Sequence, residues 1–393
     1  MPDSICCDFH LRCTGCEACA QSCPIACVSM ERDDEGFPYP LIDKKRCVEC
    51  GLCVRACPNN RSLYVGFFQQ AWAFQERRGE ALRSSSGGAF HALAVQVVEG
   101  GGVVYGFAFE RGGAVAMRRA ESVDELECLR GSKYVQGSMA GMYPRIARDV
   151  DEGVPVLVSG TGCQIAGVRS FVGKADNLLL IDVVCHGVPS PGLFERQWAF
   201  VEDRYGDSLV SYAFRDKRRA HWRLSKRFRY VFESRSNVVG NWKRDPFYNA
   251  YLKGGIMRES CYVCRYASEA RCSDLTLCDY WGIGDRHPEI DACQGVSAVI
   301  ATSSKGVEAA LRLSDRGTLS RTELERVVRG NVNLRHPTER PCKRDYAYGA
   351  VREKGYAAWS KEQVGFRDKA SSLAAELVPA GLADFVFKVL GRR

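Results

Sequence analysis

Cys13-Thr14-Gly15-Cys16-Glu17-Ala18-Cys19-Ala20-Gln21-Ser22-Cys23-Pro24 is followed 34 residues later by Cys47-Val48-Glu49-Cys50-Gly51-Leu52-Cys53-Val54-Arg55-Ala56-Cys57-Pro58. Both stretches spell C-x2-C-x2-C-x3-C-P, which is an internal duplication. Three thiolates spaced by two residues can wrap one face of an iron-sulfur cube, while the fourth, turned away by its own short helix, reaches a neighbouring cluster. The spacing therefore places Cys13, Cys16, Cys19 and Cys57 around one 4Fe-4S cluster, and Cys23, Cys47, Cys50 and Cys53 around a second. A pair of structural zinc sites is the alternative, but a zinc ribbon takes two C-x2-C pairs, not two identical runs of four. Cys6, Cys7 and Cys27 fall outside the pattern and count as spare thiols.

The duplicated run resembles the two-cluster bacterial ferredoxin module and covers about residues 10 to 60. The whole chain has 393 residues, a length that predicts two or three domains. With 46% hydrophobic and 26% charged residues it can bury a sizeable core, which excludes disorder, collagen and a coiled coil. Twenty cysteines in so long a chain point to metal or redox chemistry, because secreted disulfide frameworks belong to much shorter chains. The start, Met1 to Asp8, has neither a basic region nor an apolar core, so no secretory signal and a cytoplasmic location are expected. Apolar runs such as Leu178–Ile181 are interrupted long before the ~20 residues of a membrane span.

After Arg61 the pattern becomes mixed α/β. Ser84-Ser85-Ser86-Gly87-Gly88 precedes an apolar stripe at helical spacing, Ala89, Phe90, Leu93, Ala94 and Val97, which Gly100-Gly101-Gly102 ends. Val103–Phe109 reads as a strand, and Ser122-Val123-Asp124-Glu125 as a capping box opening a helix. Strand-like Val154–Val158, a tight Gly160-Thr161-Gly162-Cys163 turn, a helix from Gln164 to Phe171 and a buried strand over Leu178–Val184 make a βαβ unit, so a parallel sheet is expected. The two glycine turns, each opening a helix, offer backbone N–H groups to an anion such as a cofactor diphosphate; ordinary helix capping explains either turn equally well. Gly160, Gly162 and Gly167 are spaced G-x-G-x4-G, which is not the dinucleotide fingerprint.

More cysteines follow. Cys163 sits at a predicted helix start, where the dipole favours a thiolate, and Cys185 at the end of the next strand, where α/β ligand crevices form. Cys261-Tyr262-Val263-Cys264, with Cys272 and Cys278, reads equally as a local zinc knuckle.

Six motifs occur in order: Ser85 to Phe90, Gly131 to Gln136, Ser159 to Ile165, Cys185 to Ser190, Phe214 to Lys217 and Asp274 to Gly282. Together they resemble the coenzyme F420 hydrogenase/dehydrogenase beta-subunit family, in the branch with a two-cluster ferredoxin head, over about residues 10 to 285. The resemblance implies a core that binds FAD beside a third 4Fe-4S cluster and moves electrons between a reduced deazaflavin coenzyme and iron-sulfur carriers. It makes Cys163, Cys185, Cys261 and Cys264 ligands of that cluster. Carried onto these motifs, the cofactor-binding residues are Ser85, Ser86, Gly87, Gly88, Lys133, Gly160, Thr161, Gln164, His186 and Gly187. The chain departs from the family pattern at Gly162, where Pro is common, and at Cys278, where Gly is; Cys272 is additional. A local site drawing on Cys272 and Cys278 is thus the rival arrangement.

Residues 215 to 244 hold eleven Lys or Arg against Asp216 and Glu233, a net of +9 where the whole chain carries +8. Trp222, Leu224, Phe228, Tyr230 and Phe232 alternate there with Arg223, Arg227 and Arg229, as in a strand with one buried and one basic face. That face suits an acidic redox protein or an anionic coenzyme, or is simply solvated. Aromatics at period two face a core and do not stack bases, so no nucleic-acid partner is expected. Ser371–Leu377 and Leu382–Leu390 read as short terminal helices.

The expected architecture is α+β combined with α/β. It consists of a two-cluster ferredoxin-like module over 1–62 and a mixed α/β flavin-binding core over 63–342, in halves 63–190 and 191–342, with a basic β region. A helical tail over 343–393 completes it. The expected function is that of an iron-sulfur flavoprotein oxidoreductase passing electrons between a reduced donor (deazaflavin coenzyme or ferredoxin), FAD and 4Fe-4S clusters. A polyferredoxin-like carrier without flavin chemistry is the rival.

Overall fold

The computed structural model of the chain describes residues 5, 9–63, 65–77, 79–217, 226–283, 286–365 and 368. In the N-terminal module the two cysteine runs flank an antiparallel hairpin of β1 (Val28–Arg32) and β2 (Pro38–Ile42), with Val28 opposite Ile42. The duplication extends to the backbone. Gly15 and Glu17 in the first run, and Glu49 and Gly51 at the same places in the second, are all left-handed, with φ of 63°, 69°, 55° and 69°. Left-handed residues set among right-handed ones turn successive N–H groups toward one point, a geometry that receives anionic groups. Glutamate at two of the four positions shows that the turn is held by what surrounds it and not by glycine's freedom alone.

The core begins with β3 (Gln70–Glu76), β4 (Val103–Phe109), β5 (Val115–Ala120), β6 (Val156–Thr161) and β7 (Leu178–Val183). Next, β8 (Leu209–Ala213), β9 (Arg227–Phe232) and β10 (Val238–Asn241) form their own antiparallel sheet in the order β10-β9-β8. The chain then returns with β11 (Leu275–Asp279), β12 (Ser297–Ala301) and β13 (Gly317–Thr322) to complete an eight-stranded sheet ordered β13-β3-β12-β11-β7-β6-β4-β5. Only β4, β6, β7 and β11 are mutually parallel; the outer pairs are antiparallel. The expected βαβ unit is there in β6, the helix Gly162–Val172 and β7, but the sheet as a whole is mixed. The difference has a local cause: a parallel neighbour needs a crossover, whereas β4 to β5 is a short return that can only pair antiparallel.

Two helix starts differ from expectation. The Ser122 capping box forms, with Glu125 Oε2 accepting from the Glu121 and Ser122 N–H groups at 2.8 and 3.3 Å. The element it opens, Asp124–Leu129, is a 3-10 helix. Residues three apart eclipse in that geometry, which turns Leu126 and Leu129 together into the core. The helix Ala89–Glu99 starts from Gly88 at φ 94°, which has no side chain to cap it, and the distant Ser297 Oγ accepts from the Ala89 N–H at 3.5 Å.

The helix Pro191–Tyr205 packs Phe194 and Trp198 into an aromatic core under the small sheet, with Phe194 and Tyr212 ring centroids 5.2 Å apart. Helices Arg344–Lys354 and Tyr356–Gln363 close this core: Trp359 is fully buried, and the Tyr356 hydroxyl donates to Gln197 Oε1 at 2.6 Å. The helices read from residues 371–390 lie outside the described residues. Among the described residues no helix is long and apolar enough to cross a membrane.

Candidate metal and cofactor site

Two small cavities open inside the N-terminal module. One is lined by Cys13, Cys16, Cys19 and Cys57, the other by Cys23, Cys47, Cys50 and Cys53. Each cavity therefore draws three thiols from one run and its fourth from the other, the crossed grouping that the spacing implied. Burial pushes the Cys13 thiol up and Cys16 up to about 12. Desolvation on that scale disfavours bare thiolates and leaves a site that suits a cation or cluster to carry the charge. Cys23 behaves differently: burial raises it, yet N–H groups of Cys27, Ile25 and Val28 hold it below its ordinary value. Cys27 also lines the second cavity, its sulfur 3.4 Å from that of Cys23. Sequence reasoning set Cys27 aside because it breaks the repeat, and nothing in the spacing signals it. Cys6 and Cys7 lie outside the described residues.

A third group of thiols forms in the core. Cys163 opens the helix Gly162–Val172, Cys185 follows β7, and Cys261 and Cys264 come from the short helix Glu259–Tyr262 and the turn after it. These four act on one another: Cys261, Cys163 and Cys264 all raise Cys185, and Cys264 and Cys163 raise Cys261. Burial is the larger cause, pushing Cys261 up to about 12 and Cys264 to about 11. Cys272 packs beside Cys163 and Cys264 but feels chiefly the buried Asp182, which pairs with Arg271 at 3.2 Å, and Cys278 feels chiefly Asp279. The third group touches the first. Cys163 raises the Cys16 thiol, and the helix carrying Cys163 approaches the N-terminal module so closely that a Cβ on Gly167 would lie 2.4 Å from the Tyr143 hydroxyl and 3.4 Å from Cys16 Sγ.

Cys163 and Cys185 also line a cleft of about 530 Å³ at the carboxyl ends of β6 and β7. Ser85, Ser86, Gly88, Lys133, Gly160, Thr161, Gln164, His186 and Gly187 line it too, so nine of the ten expected cofactor-binding residues converge there from four chain segments. Gly87 does not. Its N–H donates to Ser297 Oγ at 2.9 Å, and a Cβ there would lie 2.2 Å from the Phe74 carbonyl oxygen. The Ser85 hydroxyl accepts from the Ser132 N–H at 2.8 Å, tying together the two loops on either side of the opening. At the other turn, Thr161 and Gln164 form a reciprocal capping box, and Gln164 Nε2 donates to the Gly137 carbonyl at 3.1 Å. The capping explanation is thus satisfied at this turn, although its backbone still lines the cleft.

Lys133 is half-buried with its ammonium turned inward onto the carbonyls of Cys128 and Arg130, and burial pushes it down to about 7. Burial likewise lowers His186, whose Nδ1 faces Thr338 Oγ1 at 3.1 Å while its Nε2 has no partner among the described residues. Tyr134, Asp279 and Trp281, from the motifs Gly131–Gln136 and Asp274–Gly282, line the same cleft, as does Tyr251, which no sequence motif signalled.

The basic segment is turned further inward than its composition suggested. Phe228, Tyr230 and Phe232 are buried on β9 as expected. Arg229, however, is only 19% exposed and lies 3.8 Å from Asp216, and Lys217 is buried among the carbonyls of Ala81, Ser86 and Gln294. Arg215 is buried in the cleft wall, its Nη1 donating to Asp279 Oδ2 at 3.1 Å, while its Nε and Nη2 have no partner among the described residues. Trp222, Arg223 and Leu224 lie outside the described residues.

Residues 12–60 match the family model of the 4Fe-4S dicluster domain, and residues 154–327 that of the carboxyl-terminal region of the coenzyme F420 hydrogenase/dehydrogenase beta subunit. The NADH-quinone oxidoreductase subunit I 2 of Geobacter metallireducens is 37% identical over 65 residues, 15% of this chain and 50% of that protein. NADH-quinone oxidoreductase subunit I of Pelobacter propionicus is 34% identical over 62 residues, 14% of this chain and 33% of that one. The chain spans half or less of the length of these relatives. A chain of the xenon-derivatised F420-reducing (NiFe) hydrogenase complex from Methanosarcina barkeri is similar over 79% of this chain and 93% of its own, with 15% identity and a TM-score of 0.43.

Proposed function

We propose, for a chain that joins a 4Fe-4S dicluster domain to a core of the coenzyme F420 hydrogenase/dehydrogenase beta-subunit family, that it is an oxidoreductase taking electrons from a reduced soluble donor through FAD in the cleft. From there they pass along three groups of thiols that each hold a 4Fe-4S cluster. One observation carries this reading: Cys163 and Cys185 belong both to the cleft wall and to the third thiol group, and Cys163 in turn acts on Cys16 of the first. Cleft, third group and first group are therefore linked in that order.

When bound, FAD exchanges electron pairs on one side and single electrons on the other. The chain's own residues do the rest. The loops at Ser85–Gly88 and Ser132–Lys133 hold the anionic part of the ligand, and burial keeps His186 neutral beside it. Arg215, buried in the cleft wall, places a fixed positive charge that suits a carboxylate or phosphate of an anionic donor such as a deazaflavin coenzyme.

Protein purified and reconstituted with iron and sulfide under anaerobic conditions tests the reading. We expect about one FAD per chain that bleaches with a reduced donor and recovers on oxidation. Protein that holds its iron but no flavin would leave the polyferredoxin-like carrier in its place.

A further inference from the structure

Arg258 is fully buried between the N-terminal module and the core. Its Nε donates to the Cys13 carbonyl at 2.7 Å, Nη1 to Gln136 Oε1 at 3.1 Å and Nη2 to the Pro38 carbonyl at 3.1 Å. The guanidinium lies 4.0 Å from the centre of the Tyr39 ring, with Phe37 at 5.4 Å. None of these neighbours carries a negative charge, and no carboxylate pairs with Arg258 among the described residues. A guanidinium does not release its proton inside a protein, so a buried one demands a compensating anion. The groups that can supply it are thiolates. Arg258 Nη2 is 3.7 Å from Cys13 Sγ, and the same cation attracts the thiolates of Cys163 and Cys261. It thus touches the first thiol group directly and acts through its charge on two thiols of the third. The groups acting on Cys23, Cys27 and Cys53 in the second are other thiols and backbone N–H groups.

Building on the cluster reading above, we propose that Arg258 is the shared counter-cation of the clusters held by Cys13/Cys16/Cys19/Cys57 and by Cys163/Cys185/Cys261/Cys264, and that it raises the reduction potential of both. A fixed positive charge stabilises whichever cluster carries the additional electron. An electron held on either cluster would be stabilised by the same fixed cation, which Arg258 would supply without taking up or releasing a proton. The residue therefore keeps the two potentials close together and the step between them easy. The second cluster lacks this cation and keeps a potential of its own.

The test is a potentiometric titration of the reconstituted full chain followed by electron paramagnetic resonance, on wild type, Arg258→Lys, Arg258→Gln and Arg258→Met. Arg258→Gln retains an amide donor for the Cys13 carbonyl, so a variant with intact iron is available if Arg258→Met fails to fold. Removing the charge should make two of the three clusters harder to reduce by about tenfold in the reduction equilibrium, which is ~59 mV for one electron, and leave the third unmoved. Arg258→Lys should restore most of the shift. Unchanged potentials in an iron-replete neutral variant would overturn the inference, as would a shift of equal size in all three. Wild-type protein with iron for only two clusters would instead sink the third-cluster reading, and the signal of the Cys13 group would still decide whether Arg258 tunes it.

Discussion

Cys185→Ser is the sharpest test of how the thiols are shared out. The structure gathers twelve expected ligands into three groups of four, each group implying about four iron atoms, so the loaded chain should hold about twelve. Cys185 belongs to the core group: the thiols acting on it are Cys261, Cys163 and Cys264. Replacing it with Ser should therefore lower iron from about twelve to about eight while the signals of the N-terminal clusters stay as they are. Cys272→Ser and Cys278→Ser should leave about twelve, because the charges acting on those thiols are Asp182, Asp279 and nearby arginines and not the four thiols of the group, even though Cys272 packs beside Cys163 and Cys264. Iron and zinc are measured by mass spectrometry after anaerobic reconstitution, with the cluster signals followed by electron paramagnetic resonance. Two results would refute the reasoning. One is loss of a cluster on changing Cys272 or Cys278 with Cys185→Ser silent. The other is wild-type protein that levels off near eight irons with one equivalent of zinc, which would mark Cys261 and Cys264 as part of a structural zinc site.

Three further outcomes are expected. Lys133 has its ammonium pushed down to about 7 by burial, from the ordinary 10.5, so it is charged below that pH and neutral above it. Its contribution to folding stability rises across the window from about 7 to 10.5, where only the unfolded chain holds the proton, while its grip on an anion weakens over the same window. The FAD dissociation constant should therefore increase from pH 6 to pH 8 in the wild type, and Lys133→Met should flatten that profile. Asp182 and Arg271 pair at 3.2 Å with both side chains almost wholly buried, so Asp182→Asn should cost about 3–5 kcal/mol in urea unfolding by leaving the guanidinium uncompensated. The double change Asp182→Leu with Arg271→Leu should cost less than that single one. Finally, if an acidic redox protein docks on the basic segment, Arg223→Glu with Arg227→Glu should slow its reduction of the chain at low salt and leave dithionite reduction unchanged. Equal rates with every donor would remove the segment from the mechanism.

The crossed grouping of the eight N-terminal cysteines was legible in the sequence because ligand spacing in a short loop leaves the chain few ways to fold around a metal centre. The same locality made β4 and the β6–helix–β7 unit readable, since apolar runs such as Leu178–Ile181 and the Thr161–Gln164 box act over a few residues. The sequence did not reveal that the sheet is mixed. Its antiparallel members β12 and β3 pair across more than two hundred positions, a choice made by what packs against them and not by their own composition. Nor did the +9 charge of residues 215–244 say where its side chains point. Arg215 and Lys217 turn inward because a carboxylate and three carbonyls await them from distant segments.

Residue identity alone determined that this chain carries a duplicated thiol motif and a core with a second supply of thiols, because metal ligation depends on donor type and short-range spacing. Tertiary structure decided which thiols of the core meet, that nine of the expected cofactor-binding residues from four segments share one cleft, and that a buried guanidinium lies against Cys13 of the first thiol group. Those are distances between residues remote in the chain. They are fixed only when the sheet, the helix carrying Cys163 and the N-terminal module pack against one another, and no local pattern encodes them.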